Sequence, residues 1–392
     1  MEIRYFDNAA TTRVKEEVLD EMFPYFCKEY GNPSSLYALG RSSRKAVEEA
    51  RQRVASLINC NPNEIYFTGG GSESDNTALK GIAYRNIKKG KHIITSKIEH
   101  PAVLHSCQAL EKNGFEVTYL NVDKDGVINL QELENSIRED TILISIMFAN
   151  NEIGTIEPIE EIAQIAKKHN IIFHTDAVQA TGNIPIDVKK MGIDMLSLSG
   201  HKLYGPKGIG ALYVKSGIGF EKIIDGGHQE KNKRAGTENV AGIVGLGKAC
   251  QLAEKNLIHH MEYLKELRDY YILQVEEKIP YIKLNGPKER RLPGNANFSF
   301  EFVEGESLLL NLDLKGICAS SGSACTSGSL DPSHVLIAIG LPKEIAYGSL
   351  RTSFGEENTK EDIDFLVDNL VEIIDRLRKM SPSYEKFLNK DK

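Results

Sequence analysis

The chain has 392 residues, 41% hydrophobic and 26% charged, and its 48 basic and 55 acidic side chains give a net charge of −7. These values are typical of a globular protein with two or three domains, and the mild negative charge argues against non-specific nucleic-acid binding. The longest apolar stretch, residues 142–149, is far shorter than the ~20 residues that span a bilayer. Residues 1–12 lack the apolar core of a signal peptide. We therefore expect a cytoplasmic protein without membrane association.

Helical and strand-like segments alternate along the first half of the chain. Helices are predicted at 42–58, 75–88, 102–113 and 159–169, and strands at 65–67, 92–95, 115–120, 142–148, 171–174 and 195–197. This alternation predicts an α/β fold in which helices cover both faces of a mainly parallel sheet. Ligands of such sheets bind beyond the carboxyl ends of the strands.

The second half has a different pattern. A long helix is predicted at 240–279, followed by strand-like segments at 295–302 and 317–322 and by a terminal helix at 360–379. We predict a large domain at 13–256 and a smaller α+β domain formed by 1–12 and 257–392. The turn-like DNAATT at 7–12 is compatible with packing on either domain.

The six cysteines, at positions 27, 60, 107, 250, 318 and 325, are scattered and form no CxxC motif. They therefore indicate neither a disulfide framework nor a zinc site, and most are expected to be small buried residues. Cys325 differs because it lies in SSGSACTSGSLDP. This glycine- and serine-rich run predicts a mobile loop at about 318–332.

The segment FTGGGSESDN at 67–76 has the pattern of a strand, a glycine turn and a helix that opens at Ser72. Glycine amides and the positive end of a helix favour a bound phosphate, although a plain capped turn would have the same pattern. No lysine follows the glycines, so this is not a nucleotide P-loop. A similar run, GIVGLGKA at 242–249, ends in Ala249 instead of a magnesium-binding hydroxyl and is interpreted as an ordinary helix.

Two further strand ends carry polar residues. FHTDAVQ at 173–179 presents Asp176, which is suited to pair with a protonated ring nitrogen, whereas a metal at His174 and Asp176 lacks a third ligand. SGHKLYGPKGIG at 199–210 presents Lys202, whose amine is suited to a Schiff base, while Lys207 is interpreted as a surface lysine. A phosphate cradle, a carboxylate and a lysine are together the requirements of pyridoxal phosphate.

The chain resembles the class-V enzymes of the aspartate-aminotransferase fold, and specifically the NifS/IscS-type cysteine desulfurases. The motifs that carry the resemblance span nearly the whole length: YFDNAATT (5–12), GNPSS (31–35), FTGGGSESDN (67–76), EHPAV (99–103), NNEIG (150–154), HTDAVQ (174–179), SGHKLYGPKGIG (199–210), RAGTEN (234–239), SSGSACTSGSLDPSHVL (320–336) and SLRTSFG (349–355). It implies the pyridoxal-phosphate-dependent transferase fold of type I, with a mainly parallel seven-stranded sheet in the large domain.

The resemblance also implies a role for each matched residue. Lys202 would hold the cofactor and move the substrate proton, and Asp176 would pair with the ring nitrogen. His100 would stack on the ring and would also be catalytic, because either His100 or the bound substrate would supply the base for the Cys325 thiol once the loop closes. The remaining cofactor contacts would be Gly71, Ser72, Ser199 and His201 at the phosphate, Thr237 at the phosphate of the other subunit of a homodimer, and Asn151 and Gln179 beside the ring. Arg351, with Asn151, would bind the substrate carboxylate.

By the same resemblance, the thiolate of Cys325 would take the sulfur of L-cysteine as a persulfide and L-alanine would leave. The acceptor implied is an IscU- or NifU-type scaffold for iron–sulfur assembly or another sulfur acceptor. No intrinsic metal is implied, with Cys325 sharing an iron–sulfur cluster at most transiently with the scaffold. The alternatives are a selenocysteine lyase or another class-V reaction, and a sulfur carrier whose catalysis is secondary.

One segment departs from the pattern of many relatives, GGGQERGRRAGTEN. Here residues 226–239 read GGHQEKNKRAGTEN, so His228, Lys231, Asn232 and Lys233 differ. Lysine keeps the positive charge of arginine but not its two-pronged hydrogen bonding. We expect the departures to affect subunit contacts or partner docking more than the chemistry.

Overall fold

The computed structural model describes residues 3–321 and 332–390. In these ranges the β-strands, β1 to β12, are Arg4–Tyr5, Ile65–Thr68, His92–Ser96, Glu116–Leu120, Thr141–Ser145, Ile172–Asp176, Met195–Ser199, Gly210–Val214, Ile282–Leu284, Asn295–Phe300, Ile317–Cys318 and Ser349–Ser353. The α-helices, α1 to α15, are Glu16–Met22, Pro24–Cys27, Ala38–Leu57, Gly71–Asn86, Pro101–Glu111, Leu130–Asn135, Ile159–Lys168, Val188–Met191, Gln229–Asn232, Val240–Lys278, Gly305–Asp313, His334–Ala338, Lys343–Ala346, Lys360–Lys379 and Pro382–Lys390.

Seven strands form the central sheet in the order β2-β8-β7-β6-β5-β3-β4. Strand β8 pairs antiparallel with both neighbours, whereas the other adjacent pairs are parallel. The predicted α/β class and the mainly parallel seven-stranded sheet are therefore confirmed. The carboxyl ends of β2, β5, β6 and β7 lie at one edge of the sheet, and the predicted cofactor motifs follow these ends.

Helices cover both faces of this sheet, and its strands are accordingly buried. Every residue of β3, β5, β7 and β8 is buried. Adjacent side chains point to opposite faces, so Ile93 packs in a cluster with Leu79 of α4, while Ile94 packs in the cluster that contains Val54 of α3. Burial on both faces explains why these strands appear as continuous apolar runs.

Most predicted segments correspond to observed elements with shifts of a few residues at their ends. The helix predicted at 42–58 is α3, Ala38–Leu57, and the terminal helix at 360–379 is α14, Lys360–Lys379. No strand was predicted where β8 lies. Its sequence, GALYV, follows directly on the glycine-rich turn after β7, and it returns antiparallel instead of continuing the strand–helix alternation.

A second core surrounds a three-stranded antiparallel sheet, β12-β10-β9, against which α11, α14 and the carboxyl half of α10 pack. Strand β1 pairs parallel with β11 of this region, and Asp7 forms a bridge with Ser353 of β12. The N-terminal strand therefore packs with the smaller sheet, which the sequence left open.

Helix α10 connects the two cores, because Leu246 packs beside the central sheet and Tyr271 beside the smaller one. The GIVGLGKA run lies inside this helix, as predicted, and a Cβ on Gly247 would lie 2.6 Å from the Ala50 Cα, so glycine permits close packing on α3. The predicted domain boundary at 256/257 falls within α10, and that division stays a prediction. None of the described helices combines the length and apolar character needed to cross a membrane.

Candidate active site

The glycine turn lies between β2 and α4 and has the backbone of an anion-binding site. Gly70 has φ +146° and ψ −178°, a conformation that only glycine adopts readily. A Cβ on Gly71 would lie 2.7 Å from the Val178 Cγ2 and 3.5 Å from the Ser199 Cβ. The turn is therefore pressed against the ends of β6 and β7, which places two of the predicted phosphate residues, Gly71 and Ser199, side by side.

The other predicted phosphate contacts, Ser72, His201 and Thr237, differ in their exposure to solvent. Ser72, in the first turn of α4, and Thr237 are exposed on this chain. The Nδ1 of His201 lies 3.2 Å from the Thr11 hydroxyl, and burial together with nearby Lys202 lowers the pKa of His201 to about 4. His201 is thus a neutral hydrogen-bonding group at neutral pH. The contact of Thr237 with a second subunit stays a prediction.

Asp176 ends β6 inside the protein. Its Oδ1 accepts a hydrogen bond from the Val178 amide at 2.9 Å, and burial raises its pKa while nearby His100 opposes that rise. A buried carboxylate is costly unless a cation or donor faces it. Asp176 is therefore suited to hold a protonated ring nitrogen.

His100 lies at the amino end of α5. Its Nδ1 accepts a hydrogen bond from the Ala102 amide at 3.1 Å, so the proton of the neutral ring is on Nε2. Burial, assisted by the positive charge of Lys202, lowers the pKa of His100. The ring is therefore neutral and apolar in character, as stacking on an aromatic cofactor requires.

A third group near these two was not predicted. Asp75 of α4 is buried, and one of its oxygens lies within 4.8 Å of ligand atoms of His100 and Asp176. Burial raises its pKa well above the usual value, and its Oδ1 has no hydrogen-bond partner among the described residues. The signal was an acid on the apolar face of α4, in register with Leu79 and Ile82.

The same three residues could geometrically hold a metal ion. Two further ligands that the sequence did not reveal are therefore present, because Asp75 and His100 reach Asp176 from other elements. His174 is not in the group; its ring nitrogens lie 2.9 Å from the Ser145 hydroxyl and 3.0 Å from the Ser197 hydroxyl. Burial lowers its pKa to about 3, so it is a neutral histidine of the interior.

Lys202 lies in the short 3-10 turn, Gly200–Lys202, that follows β7. Its Nζ donates to the carbonyls of Ala9 at 2.5 Å and Ala10 at 2.7 Å, and the Gln179 amide donates to the same Ala9 carbonyl at 3.0 Å. The N-terminal DNAATT turn thus borders the site, and it brings Lys202 and Gln179 together.

Arg351 of β12 is buried at the opposite side of the site. It donates to the Asn151 carbonyl at 3.1 Å and forms an ion pair with Asp7 at 2.8 Å, which brings together the two residues predicted to bind substrate. Its Nε has no partner among the described residues. Asp7, which sequence reasoning did not assign, holds the guanidinium in place.

Cys325 lies outside the described residues, but both flanks of its segment are described. On one side Ser320 donates to Asp7 at 2.7 Å and its backbone pairs with Arg351. On the other side the Ser333 hydroxyl donates to Glu152 at 2.5 Å. The segment that contains Cys325 therefore leaves and re-enters the described fold beside Arg351 and the NNEIG motif.

Known proteins are similar to this chain in sequence and in fold. The family model for aminotransferase class-V matches residues 4–366. The chain belongs to this family. A protein of Clostridium botulinum named cysteine desulfurase IscS is 58% identical over 98% of this chain and 97% of its own length. A protein of the same name from Methanosarcina thermophila is 58% identical over 96% of this chain and 93% of its own length.

Solved structures share the fold of this chain. A NifS-like protein has a TM-score of 0.90 at 39% identity, covering 95% of this chain and all of that one. A structure of SspA in complex with cysteine has a TM-score of 0.80 at 40% identity, covering 90% of this chain and 98% of that one. The resemblance to NifS/IscS-type cysteine desulfurases is confirmed, and so is the interpretation as an enzyme.

Proposed function

We propose that this class-V enzyme is an L-cysteine desulfurase that releases L-alanine and keeps the sulfur as a persulfide on Cys325. The observation that carries the proposal is the meeting, at one edge of the sheet, of the glycine turn, buried Asp176 and the Lys202 amine. High identity to proteins named cysteine desulfurase over nearly the whole chain supports it.

Pyridoxal 5'-phosphate fits the residues of this edge. A side chain at position 71 would collide with Val178, so the backbone amides of the turn would be the groups that face a bound phosphate. Asp176 would hold the ring nitrogen, His100 would lie on the ring, and Lys202 would bind the aldehyde. When bound, the cofactor supplies the electron sink that makes the α-carbon of an amino acid acidic.

The donor set favours this use over a metal. The Nδ1 of His100 and one oxygen of Asp176 already have backbone amide partners. Each residue keeps a single free atom, and with Asp75 three such atoms would be enough ligands for a metal ion. What favours the cofactor is the Lys202 amine and the glycine turn beside them, because an aldehyde and a phosphate need these groups and a metal does not.

The protein's own residues would then perform three tasks. The two-pronged Arg351 guanidinium would bind the substrate carboxylate, with Asp7 fixing its orientation. The Lys202 amine would take the α-proton and return a proton to the product. Burial of Asp176 and Arg351, with His100 half-buried between solvent and the interior, would limit the access of water to the reacting atoms.

Sulfur transfer would follow from the thiolate of Cys325. A bond forms between the Cys325 sulfur and the substrate sulfur while the substrate carbon–sulfur bond breaks, and its electron pair stays on carbon, which takes a proton as alanine forms. Cys325 is five residues from Ser320, and five extended residues span about 17 Å. Since Ser320 pairs with Arg351, the chain length allows the sulfur to reach the substrate.

We further propose that the enzyme is a homodimer and passes its sulfur to an IscU- or NifU-type scaffold or another acceptor. Thr237, exposed on this chain, would contact the phosphate of the second subunit. The cytoplasmic location stays a prediction from the sequence.

The test is a single turnover with sulfur-labelled cysteine, followed by mass analysis of the protein. We expect one extra sulfur on Cys325 and one equivalent of alanine. The Cys325→Ala variant should lose both, whereas Cys27→Ala, which removes an exposed free cysteine, should behave as the unmodified protein. Retained alanine production by Cys325→Ala would contradict the persulfide mechanism and favour another class-V reaction.

A further inference from the structure

The outer edge of β2 is covered by charged side chains. Strand β2 is the last strand of the central sheet, so its outward backbone groups have no neighbouring strand. Arg51 donates to the Ile65 carbonyl at 2.9 Å, and Glu230 accepts from the Phe67 amide at 2.9 Å. Glu73 accepts from the Gly69 amide at 2.9 Å, one residue before the positive-φ glycine of the turn.

Two ion pairs tie residues 228–237, which we call the strap, to this edge. Arg51 of α3 holds Glu230 with two hydrogen bonds of 2.9 and 2.8 Å, and both side chains are buried. Arg234 holds Glu73 with two hydrogen bonds of 2.9 and 3.2 Å. Each carboxylate thus joins a guanidinium to a backbone amide of β2 or of the glycine turn.

The backbone of the strap is strained where the first tie acts. Glu230, Lys231 and Asn232 have φ values of 45°, 57° and 63°, three consecutive non-glycine residues in the left-handed region. The short element α9 is therefore not a regular right-handed helix. Such a conformation is unfavourable for L-residues and persists only where the surroundings impose it. The buried pair of Arg51 and Glu230 is such a constraint.

The lysines that depart from the pattern of relatives add two weaker ties. Lys231 donates to the Asn63 carbonyl at 2.7 Å and lies 5.1 Å from the Tyr66 ring centre. Lys233 donates to the Phe220 carbonyl at 2.6 Å and lies 4.6 Å from the ring centre of the same residue. One carbonyl and one ring face suit a compact ammonium, which explains why lysine serves at both positions.

The strap also connects the ion pair of Arg51 and Glu230 to Thr237, the predicted phosphate contact. The Gln229 side chain accepts from the Gly236 amide at 3.1 Å, so the residue before Glu230 is bound to the residue before Thr237. A small cleft lies between the strap and the turn, lined in part by Gly69, Glu230 and Gly236. A shift of Glu230 would therefore move both the β2 edge and the end of the strap.

We propose that Glu230 is a positioning residue for phosphate binding: through the Phe67 amide and the strap it sets the glycine turn and residues 236–237. The inference rests on the proposed function, because it requires a phosphorylated cofactor at the turn. The proposal predicts that a substitution of Glu230 weakens the binding of the phosphate group and leaves the binding of the rest of the cofactor unchanged.

The test compares two aldehydes on the full chain stripped of cofactor. Pyridoxal 5'-phosphate and pyridoxal, the same aldehyde without the phosphate, are titrated while the visible absorbance of the bound form is followed. We expect Glu230→Gln to weaken pyridoxal 5'-phosphate by about 10- to 100-fold and to leave pyridoxal unchanged. Glu221→Gln, which breaks an exposed pair with Arg85, should change neither affinity.

Each outcome has one meaning. If Glu230→Gln weakens the binding of both aldehydes equally, or of neither, the positioning role is overturned. If Glu230→Gln does not fold, the same titrations are made with Glu73→Gln, which breaks the ion pair between Arg234 and Glu73. An unmodified chain that binds neither aldehyde would instead overturn the proposed function. The two failures are therefore distinguishable.

Discussion

The two sides of the candidate active site are built in different ways. On the sheet side, Asp176 and Lys202 follow strands that pair side by side, and the glycine turn is pressed between their ends. On the smaller-sheet side, Arg351 is fixed by Asp7, which is 344 residues away in the chain. The sheet side thus depends on local motifs at neighbouring strand ends, while the other side depends on contacts between residues that are distant in the chain.

The two sides of the candidate site would have different tasks. Groups on the sheet side would bind the cofactor and move protons, so their removal should stop the chemistry. Groups on the smaller-sheet side would orient the substrate and hold the ends of the segment that contains Cys325, so their alteration should change substrate affinity and local stability while the cofactor stays bound.

The largest effect is expected for Lys202→Ala. Loss of the amine would remove the proposed proton carrier, and we expect the rate of alanine formation to fall by about 10³-fold or more. Lys207→Ala is the matched control, since Lys207 is exposed on the same loop, and it should retain normal turnover. Steady-state assays of alanine formation with added cofactor measure both variants, and substantial turnover by Lys202→Ala would contradict the assignment.

The next largest effect is expected for Glu152→Gln. Glu152 accepts a hydrogen bond from the hydroxyl of Ser333, which follows the segment that contains Cys325. Burial raises the pKa of Glu152 to about 7 from 4.5. The folded state therefore binds its proton more tightly than the unfolded state, so this stabilisation is full below pH 4.5 and is lost as pH rises toward 7. Glu152→Gln, neutral at every pH, should match the unmodified protein near pH 4 and exceed its stability at pH 8 by about 3 kcal/mol.

Thermal unfolding between pH 4 and 8 measures this difference. The control is Glu357→Gln, which neutralises an exposed glutamate paired with Arg13 and should show no pH-dependent difference of this size. A constant difference between Glu152→Gln and the unmodified protein across the range would show that Glu152 does not titrate as proposed.

The two sides also differ in how well the sequence predicts their residues, because only the sheet side has local sequence patterns. Asp176 and Lys202 were predicted because each follows an apolar strand, and parallel strands present their carboxyl ends together. The glycine turn has a local pattern as well. Most helix and strand positions were also predicted from a local pattern, the periodicity of apolar residues. Strand β8 was missed because it pairs antiparallel with β2 and β7, and periodicity carries no information about which strands pair.

Other features depend on folding and have no local pattern. The pairing of Arg351 with Asp7 joins the two ends of the chain, and the approach of Asp75 to Asp176 depends on how α4 packs over the sheet. The ties of Glu230 and Glu73 to the edge of β2 depend on which strand is last in the sheet, which the chain order does not reveal. The Arg351 role itself came from family resemblance, and its geometry came from the structure.

The smallest effect is expected for Arg351→Lys, which keeps the charge but loses the two-pronged contact. The lysine can pair with Asp7 or with a substrate carboxylate but cannot hold both in fixed geometry. We expect the KM for cysteine to rise by about tenfold, with kcat and the visible absorbance of bound cofactor little changed. Arg13→Lys, at an exposed pair, is the control. Loss of the cofactor absorbance in Arg351→Lys would show that the two sides are not separable, and the division of tasks between them would then have to be abandoned.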